Sequence, residues 1–315
     1  MKKRIEELDY LKCILIVLMI VFHLVYIGDK YPYAKQLVYT FHMPAFLLIS
    51  GYLVNVAKSP SAFFRAMGWI LVPYAVMESG YVVMSSILPV RDGVDKLTWA
   101  VWADKLLLHP LGPYWYLHTL VLGSTTYYVL QRWGSRWLGN PFSFLIVLGV
   151  CFAVEAEALH LVSLPHILYF WGGIVLQRCS LAFTDFFYPS RWAVIPFVWL
   201  AVYPQHLHCS TWTGAAMVCL FVSFTLSFYP YFSGIVRKGC LYIGRNTFVI
   251  LVFSPLFTVI TKWFVPIFRF EPSGMLYLVV SVIFVLAGSF LTAWCMDRCG
   301  LSRFFWGKER MLQAV

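Results

Sequence analysis

Long apolar stretches separated by short polar ones recur along the whole chain. A helix needs about 17–25 mostly apolar residues to cross the hydrocarbon of a bilayer. By that measure ten segments are predicted as spanning helices: Tyr10–Gly28, Gln36–Val56, Ala66–Leu88, Tyr114–Arg132, Asn140–Leu159, Leu164–Arg178, Trp192–Pro204, Trp212–Tyr229, Cys240–Phe264 and Met275–Met296. The sixth and seventh are short for the task. Pro44, Pro73 and Pro255 fall inside segments, where neighbouring helices can satisfy the backbone groups that proline frees. The pattern predicts an all-α, polytopic integral membrane bundle of about ten transmembrane helices. It forms a single domain over residues 1–315, without a repeat or low-complexity linker.

Composition points the same way. Of the 315 residues 61% are hydrophobic and 12% charged, against roughly 25% charged in soluble domains, so lipid must serve as solvent for much of the surface. The net charge of +10 is scattered between apolar runs. It forms no basic stripe of the kind that binds nucleic acid. Topology explains it better. With the N-terminus in the cytoplasm, fifteen Lys and Arg flank the inner ends of the spans and seven the outer ends, which places both termini in the cytoplasm under the positive-inside rule. The basic start Met1-Lys2-Lys3-Arg4 resembles a signal peptide, but no small-residue cleavage site follows the first apolar run, which is expected to be retained.

Polar residues inside the apolar segments are the candidates for chemistry, because ionisable groups are costly in hydrocarbon and tend to face an interior or a cavity. The first segment carries Asp9, Lys12 and His23. Eleven residues at about 100° each close three turns plus roughly 20°, so Lys12 and His23 share one stripe, separated by roughly 16 Å along the axis. Asp9, one turn before Lys12, is placed to pair with it. The second segment carries Phe41-His42-Met43-Pro44 and, further on, Ser50-Gly51. A short connection brings His42 to a depth near that of His23, and Ser50 and Gly51 let a neighbouring helix come close. Glu78, Glu155, Glu157 and His118 are weighed as structural or interfacial. His206, His208 and Cys209 lie on an outer loop, and no metal site is expected. The eight cysteines show no disulfide spacing.

These first two elements together resemble the acyltransferase family 3 membrane proteins, in particular the fucose 4-O-acetylase-like branch. The family's first helix carries a basic residue, ten intervening residues and a histidine, matched by Lys12 and His23. Phe41 to Gly51 is similar to its aromatic-His-x-Pro-x-Phe…Ser-Gly element. Shorter stretches extend the likeness: Arg65 with Leu71-Val72-Pro73-Tyr74, Pro113-Tyr114-Trp115-Tyr116-Leu117, Phe170-Trp171-Gly172-Gly173, and Ile243-Gly244-Arg245-Asn246-Thr247. Relatives often have a histidine before a proline downstream of the last element, and this chain has Ser254 before Pro255.

The resemblance implies transfer of an acyl group, commonly acetyl from acetyl-CoA, to a hydroxyl of a sugar, glycan or lipid-linked saccharide. No permanently bound cofactor is implied. His23 and His42 are the expected catalytic residues, with His23 as general base. Asp9, Lys12 and Ser50 support them, and Arg65, Trp115, Arg245 and Asn246 are expected to bind substrate. The expected location is the bacterial inner membrane. Two other functions fit the same pattern of spans: a transporter or exporter, although no paired broken helices mark corresponding halves, and a degenerate relative acting as a scaffold, for which Ser254 speaks.

Overall fold

The computed structural model describes residues 4–87, 93–134, 136 and 138–314. Lys2, Lys3 and Arg91 of the charge count, and the end of the third predicted segment at Leu88, lie outside them. Helix accounts for 77% of the described residues, and no strand occurs among them. The helices are α1 (Glu6–His23), α2 (Val25–Lys30), α3 (Pro32–Leu53), α4 (Pro60–Ile87), α5 (Trp99–Leu107), α6 (Trp115–Val129), α7 (Pro141–Ala153), α8 (Leu164–Arg178), α9 (Phe183–Phe186), α10 (Val194–Ala201), α11 (Trp212–Leu226), α12 (Gly234–Arg245), α13 (Thr247–Ile260), α14 (Met275–Arg298) and α15 (Ser302–Trp306). Single π-helical turns, Leu130–Gly134 and Val154–Ala158, follow α6 and α7. Local chemistry sets several starts. The Asn140 side chain accepts from Phe142 N–H ahead of Pro141 at the first helical position, and Thr211 caps α11 through Gly214 N–H.

Among the described residues, five helices are long and apolar enough to cross a membrane: Pro60–Ile87, Pro141–Ala158, Trp212–Tyr231, Thr247–Phe264 and Met275–Arg298. Other predicted segments are helical without meeting that standard. α1 carries Glu6, Glu7, Asp9 and Lys12, α8 has 15 residues and α10 only 8. Two predicted segments are broken. Extended backbone at Leu24 (φ −70°, ψ 102°) divides the first directly after His23. Asn246 (φ −108°, ψ 20°) divides the ninth into an amphipathic α12 and an apolar α13, its side-chain amide donating to the Tyr242 carbonyl at 2.8 Å in competition with the backbone. The stretch between the third and fourth predicted segments contains a helix, α5, started by the Thr98 cap.

α14 is patterned for lipid. Its buried residues are Tyr277, Ser281, Val285, Ser289 and Ala293, one per turn, while Val279, Ile283 and Leu291 are exposed. Small and polar groups face inward and large apolar groups outward, the reverse of a helix on a water-soluble core.

The helices form two compact units. The first comprises residues 1–46, 182–302 and 308–315. In it α1 packs on α12, α13 and α14. Tyr10 lies between Tyr229 and Phe232, at ring-centre distances of 5.5 and 5.1 Å, and Phe41 stacks on Phe221 at 4.0 Å. The second unit comprises residues 47–181 and 303–307. There α3 and α8 approach through glycines on both sides. A Cβ at Gly51 would lie 1.9 Å from the Phe170 carbonyl oxygen, and one at Gly173 would lie 2.0 Å from that of Leu48. The Ser-Gly and Gly-Gly pairs of the sequence are thus the two halves of one contact.

Candidate functional site

The first unit holds six of the nine expected site residues. His23 is the last residue of α1, and its Nδ1 lies 2.7 Å from the Met19 carbonyl oxygen. His42 in α3 repeats the arrangement, with Nδ1 2.8 Å from the Val38 carbonyl oxygen. A carbonyl only accepts, so each Nδ1 carries a proton, and in the neutral ring Nε2 carries the lone pair. The i−4 contact within a helix therefore sets the tautomer that a base needs. Between the two imidazoles stands the ring of Tyr39. Its centre is 6.2 Å from that of His23 and 5.1 Å from that of His42, and its hydroxyl donates to the Phe22 carbonyl at 3.2 Å. Lys35 places its ammonium 5.6 Å from the same ring centre.

Fourteen residues before His23 on α1, Asp9 gathers three cations. The carboxylate is buried, with 2% exposure. Its oxygens lie 2.5 Å from Arg4 Nε, 2.8 Å from Lys12 Nζ and 3.6 Å from Arg245 Nε. One negative charge among three positive ones leaves a site that attracts anions. The approach of α12 that delivers Arg245 depends on Gly244, whose missing Cβ would sit 1.8 Å from the Asp9 carbonyl oxygen. Residues 311–314 fold back over this end. Arg245 donates to the Ala314 carbonyl at 2.8 Å, and Arg4 to the Gln313 side chain at 3.0 Å. Asn246 bonds the Gln313 backbone in both directions, at 3.0 and 2.9 Å.

Ser50, Arg65 and Trp115 belong to the second unit. Ser50 shares a 2.7 Å hydrogen bond with the Tyr116 hydroxyl. Trp115 packs on the His166 ring with centres 4.5 Å apart. Arg65 is exposed near the start of α4. The other polar residues of the apolar segments have structural partners. Glu78 accepts from Leu111 N–H at 2.5 Å, His118 Nε2 donates to the Leu107 carbonyl at 3.0 Å, and Glu155 accepts from Thr126. Glu78 and His118 thereby hold the segment that leads into Trp115.

Three participants escaped sequence reasoning. Tyr39 precedes His42 by three residues, and that helical spacing was a usable signal. Arg4 lies five residues before Asp9, ahead of the apolar run. His166 carries no local signal at all, since only the packing of α8 on α6 brings it to Trp115.

Outward-facing apolar helices enclosing buried ionic and imidazole groups define an integral membrane protein with a polar interior. Residues 5–294 match the family model described as an acyltransferase domain, acyltransferase family 3. The chain belongs to that family, which makes it a membrane protein of the acyltransferase class. No curated protein and no solved structure matches it.

Proposed function

We propose that this protein is a membrane O-acyltransferase of the fucose 4-O-acetylase-like kind. It moves an acyl group, acetyl in the simplest case, from acyl-CoA to a hydroxyl of a sugar, glycan or lipid-linked saccharide. On this reading it resides in a bacterial inner membrane with ten spans and both termini in the cytoplasm. The observation that carries the proposal is the state of His23. Its Nδ1 is committed to the Met19 carbonyl, so Nε2 is the basic nitrogen, and it ends the helix whose Asp9 and Lys12 meet Arg4 and Arg245.

His23 Nε2 takes the proton of the acceptor hydroxyl as that oxygen attacks the thioester carbonyl carbon. The C–S bond then breaks, and His23 returns the proton to the departing thiolate, which restores the neutral ring. His42 has no Nε2 proton to offer while its Nδ1 donates to Val38, so it serves to orient His23 through the shared Tyr39 ring. The cations around Asp9, joined by Asn246, receive the phosphates of the donor. The family resemblance alone gives Ser50 a supporting role and Arg65 and Trp115 a role in substrate binding.

The test is acyl transfer from labelled acetyl-CoA by the purified full chain in lipid nanodiscs, with a panel of glycan acceptors. His23→Ala and His23→Gln are each expected to lower transfer by about 10²–10⁴-fold, the usual contribution of a positioned base, with unchanged elution and melting temperature. Full transfer by a folded His23→Ala protein would sink the proposal.

A further inference from the structure

A cavity of about 650 Å³ opens between α12, α13 and α14. Its walls are apolar and aromatic: Tyr242 from α12, Phe257 from α13, and Phe284, Ala287 and Trp294 along α14, with Leu312 closing one end. Gly288 keeps it open. A Cβ there would lie 2.4 Å from the Phe257 ring, so any larger residue would drive that ring into the space. From Phe284 to Trp294 the groove follows ten residues of one helix, about 15 Å at the helical rise.

The α14 wall ends in a guanidinium, at the end where α12 also stops. On α14 Arg298 lies over the Trp294 ring, 5.3 Å from its centre, and is exposed. On α12 Arg245 follows Tyr242 by three residues. Adjacent residues of the chain show that these ends coincide. Leu312 N–H donates to Asp297 at 3.3 Å, and Gln313 N–H donates to Asn246 at 2.9 Å. Near the other end of α12, Ile235 and Val236 are exposed at 86% and 55%, directly before Arg237 and Lys238. That mixture suits a helix lying in the headgroup layer.

We infer that this groove seats one hydrocarbon chain of a glycerophospholipid with an anionic headgroup, whose phosphate rests at the Arg298 end. The length selects the occupant. Half of a hydrocarbon core of about 30 Å is about 15 Å, the run from Phe284 to Trp294, whereas a polyprenyl carrier is several times longer. The charge selects the headgroup, since the exposed Arg298 guanidinium stands at the mouth and an apolar throat leads away from it. The acyl-transfer site is not required for this binding.

The experiment uses the full-length protein in nanodiscs, a phosphatidylglycerol probe with a photoreactive group in its acyl chain, and mass-spectrometric mapping of the adducts. Adducts are expected to concentrate between Phe284 and Trp294. Ala287→Trp, a change at an exposed position that fills the groove, should lower their yield at least fivefold. Arg298→Gln should remove the preference for phosphatidylglycerol over phosphatidylcholine as competitor. Ala287→Phe replaces the tryptophan variant if that protein does not elute as a single species. The inference is overturned by an unchanged yield in the filled groove, by equal adduct density at the exposed Val76 and Val150, or by a polyprenyl phosphate displacing the probe at lower concentration than phosphatidylglycerol. Crosslinking uses no acyl-CoA, so each outcome stands apart from whether acyl transfer occurs.

Discussion

Gly244 lies against the backbone of Asp9 so closely that a single added carbon would fall 1.8 Å from the Asp9 carbonyl oxygen. This contact lets α12 deliver Arg245 to the Asp9 carboxylate and Asn246 to the returning segment at Gln313. Because the obstacle is backbone, Gly244→Ala cannot be relieved by a rotamer change, and the helices must separate. Overpacking of this kind costs about 1–3 kcal/mol. The expected result is a lower melting temperature, together with weaker binding of acyl-CoA by calorimetry. An unchanged melting temperature would show that α12 is free to shift.

Asp9 contacts Arg4, Lys12 and Arg245 together. Asp9→Asn keeps the shape and leaves cations uncompensated in a buried setting. Breaking a buried ion pair by removing one partner costs about 3–5 kcal/mol. Lys12→Met removes one cation of three and should cost less. Combining the two changes should therefore be less damaging than the sum, because the methionine relieves part of the charge that asparagine strands. Denaturation of the four proteins of this cycle measures the coupling, and strict additivity would show that Asp9 and Lys12 do not interact.

Glu6 supplies a pH dependence. It precedes the apolar run and accepts from the Tyr229 hydroxyl and from Arg237, both at 2.7 Å. The Tyr229 hydrogen bond and then the Arg237 contact hold its carboxyl below the ordinary glutamate range. A lowered carboxyl pKa means that its stabilisation is fully present above the unfolded value, about 4.3 for glutamate, and is lost as pH falls through the lower folded value. Wild type should exceed Glu6→Gln in melting temperature by a constant margin at neutral pH, and that margin should vanish under acid conditions. A margin that grows on acidification would contradict the assignment.

In the second unit, Gly51 and Gly173 serve one helix contact from opposite sides. Each glycine-to-alanine change is expected to cost about 1–3 kcal/mol. The double variant should lose less than the sum, because one outward movement of α8 from α3 relieves both clashes. Chemical denaturation of the two single variants and the double variant tests this, and full additivity would mean that the two clashes are relieved separately.

The expected residues differ in how much of their role could be read in advance. The Asp9–Lys12 pair and the shared stripe of Lys12 and His23 follow from helical spacing alone, and α1 carries all three. The close approach at Ser50-Gly51 follows from residue size, though its partner on α8 does not. The breaks at Leu24 and Asn246 were not legible. Leu24 is an ordinary helix former, and Asn246 departs from the helix in company with Gln313, far along the chain.

Helicity, residence in lipid, and imidazoles and cations inside apolar segments were legible in the residues alone, because those properties depend on composition and on a period of 3.6 residues. Packing between segments settled which cations share Asp9, that Tyr39 stands between His23 and His42, that His166 meets Trp115, and that α12 to α14 enclose a groove. Those are meetings of residues distant in the chain. They are set by where backbones can approach, at Gly244, Gly51, Gly173 and Gly288, and no periodicity within one segment encodes that.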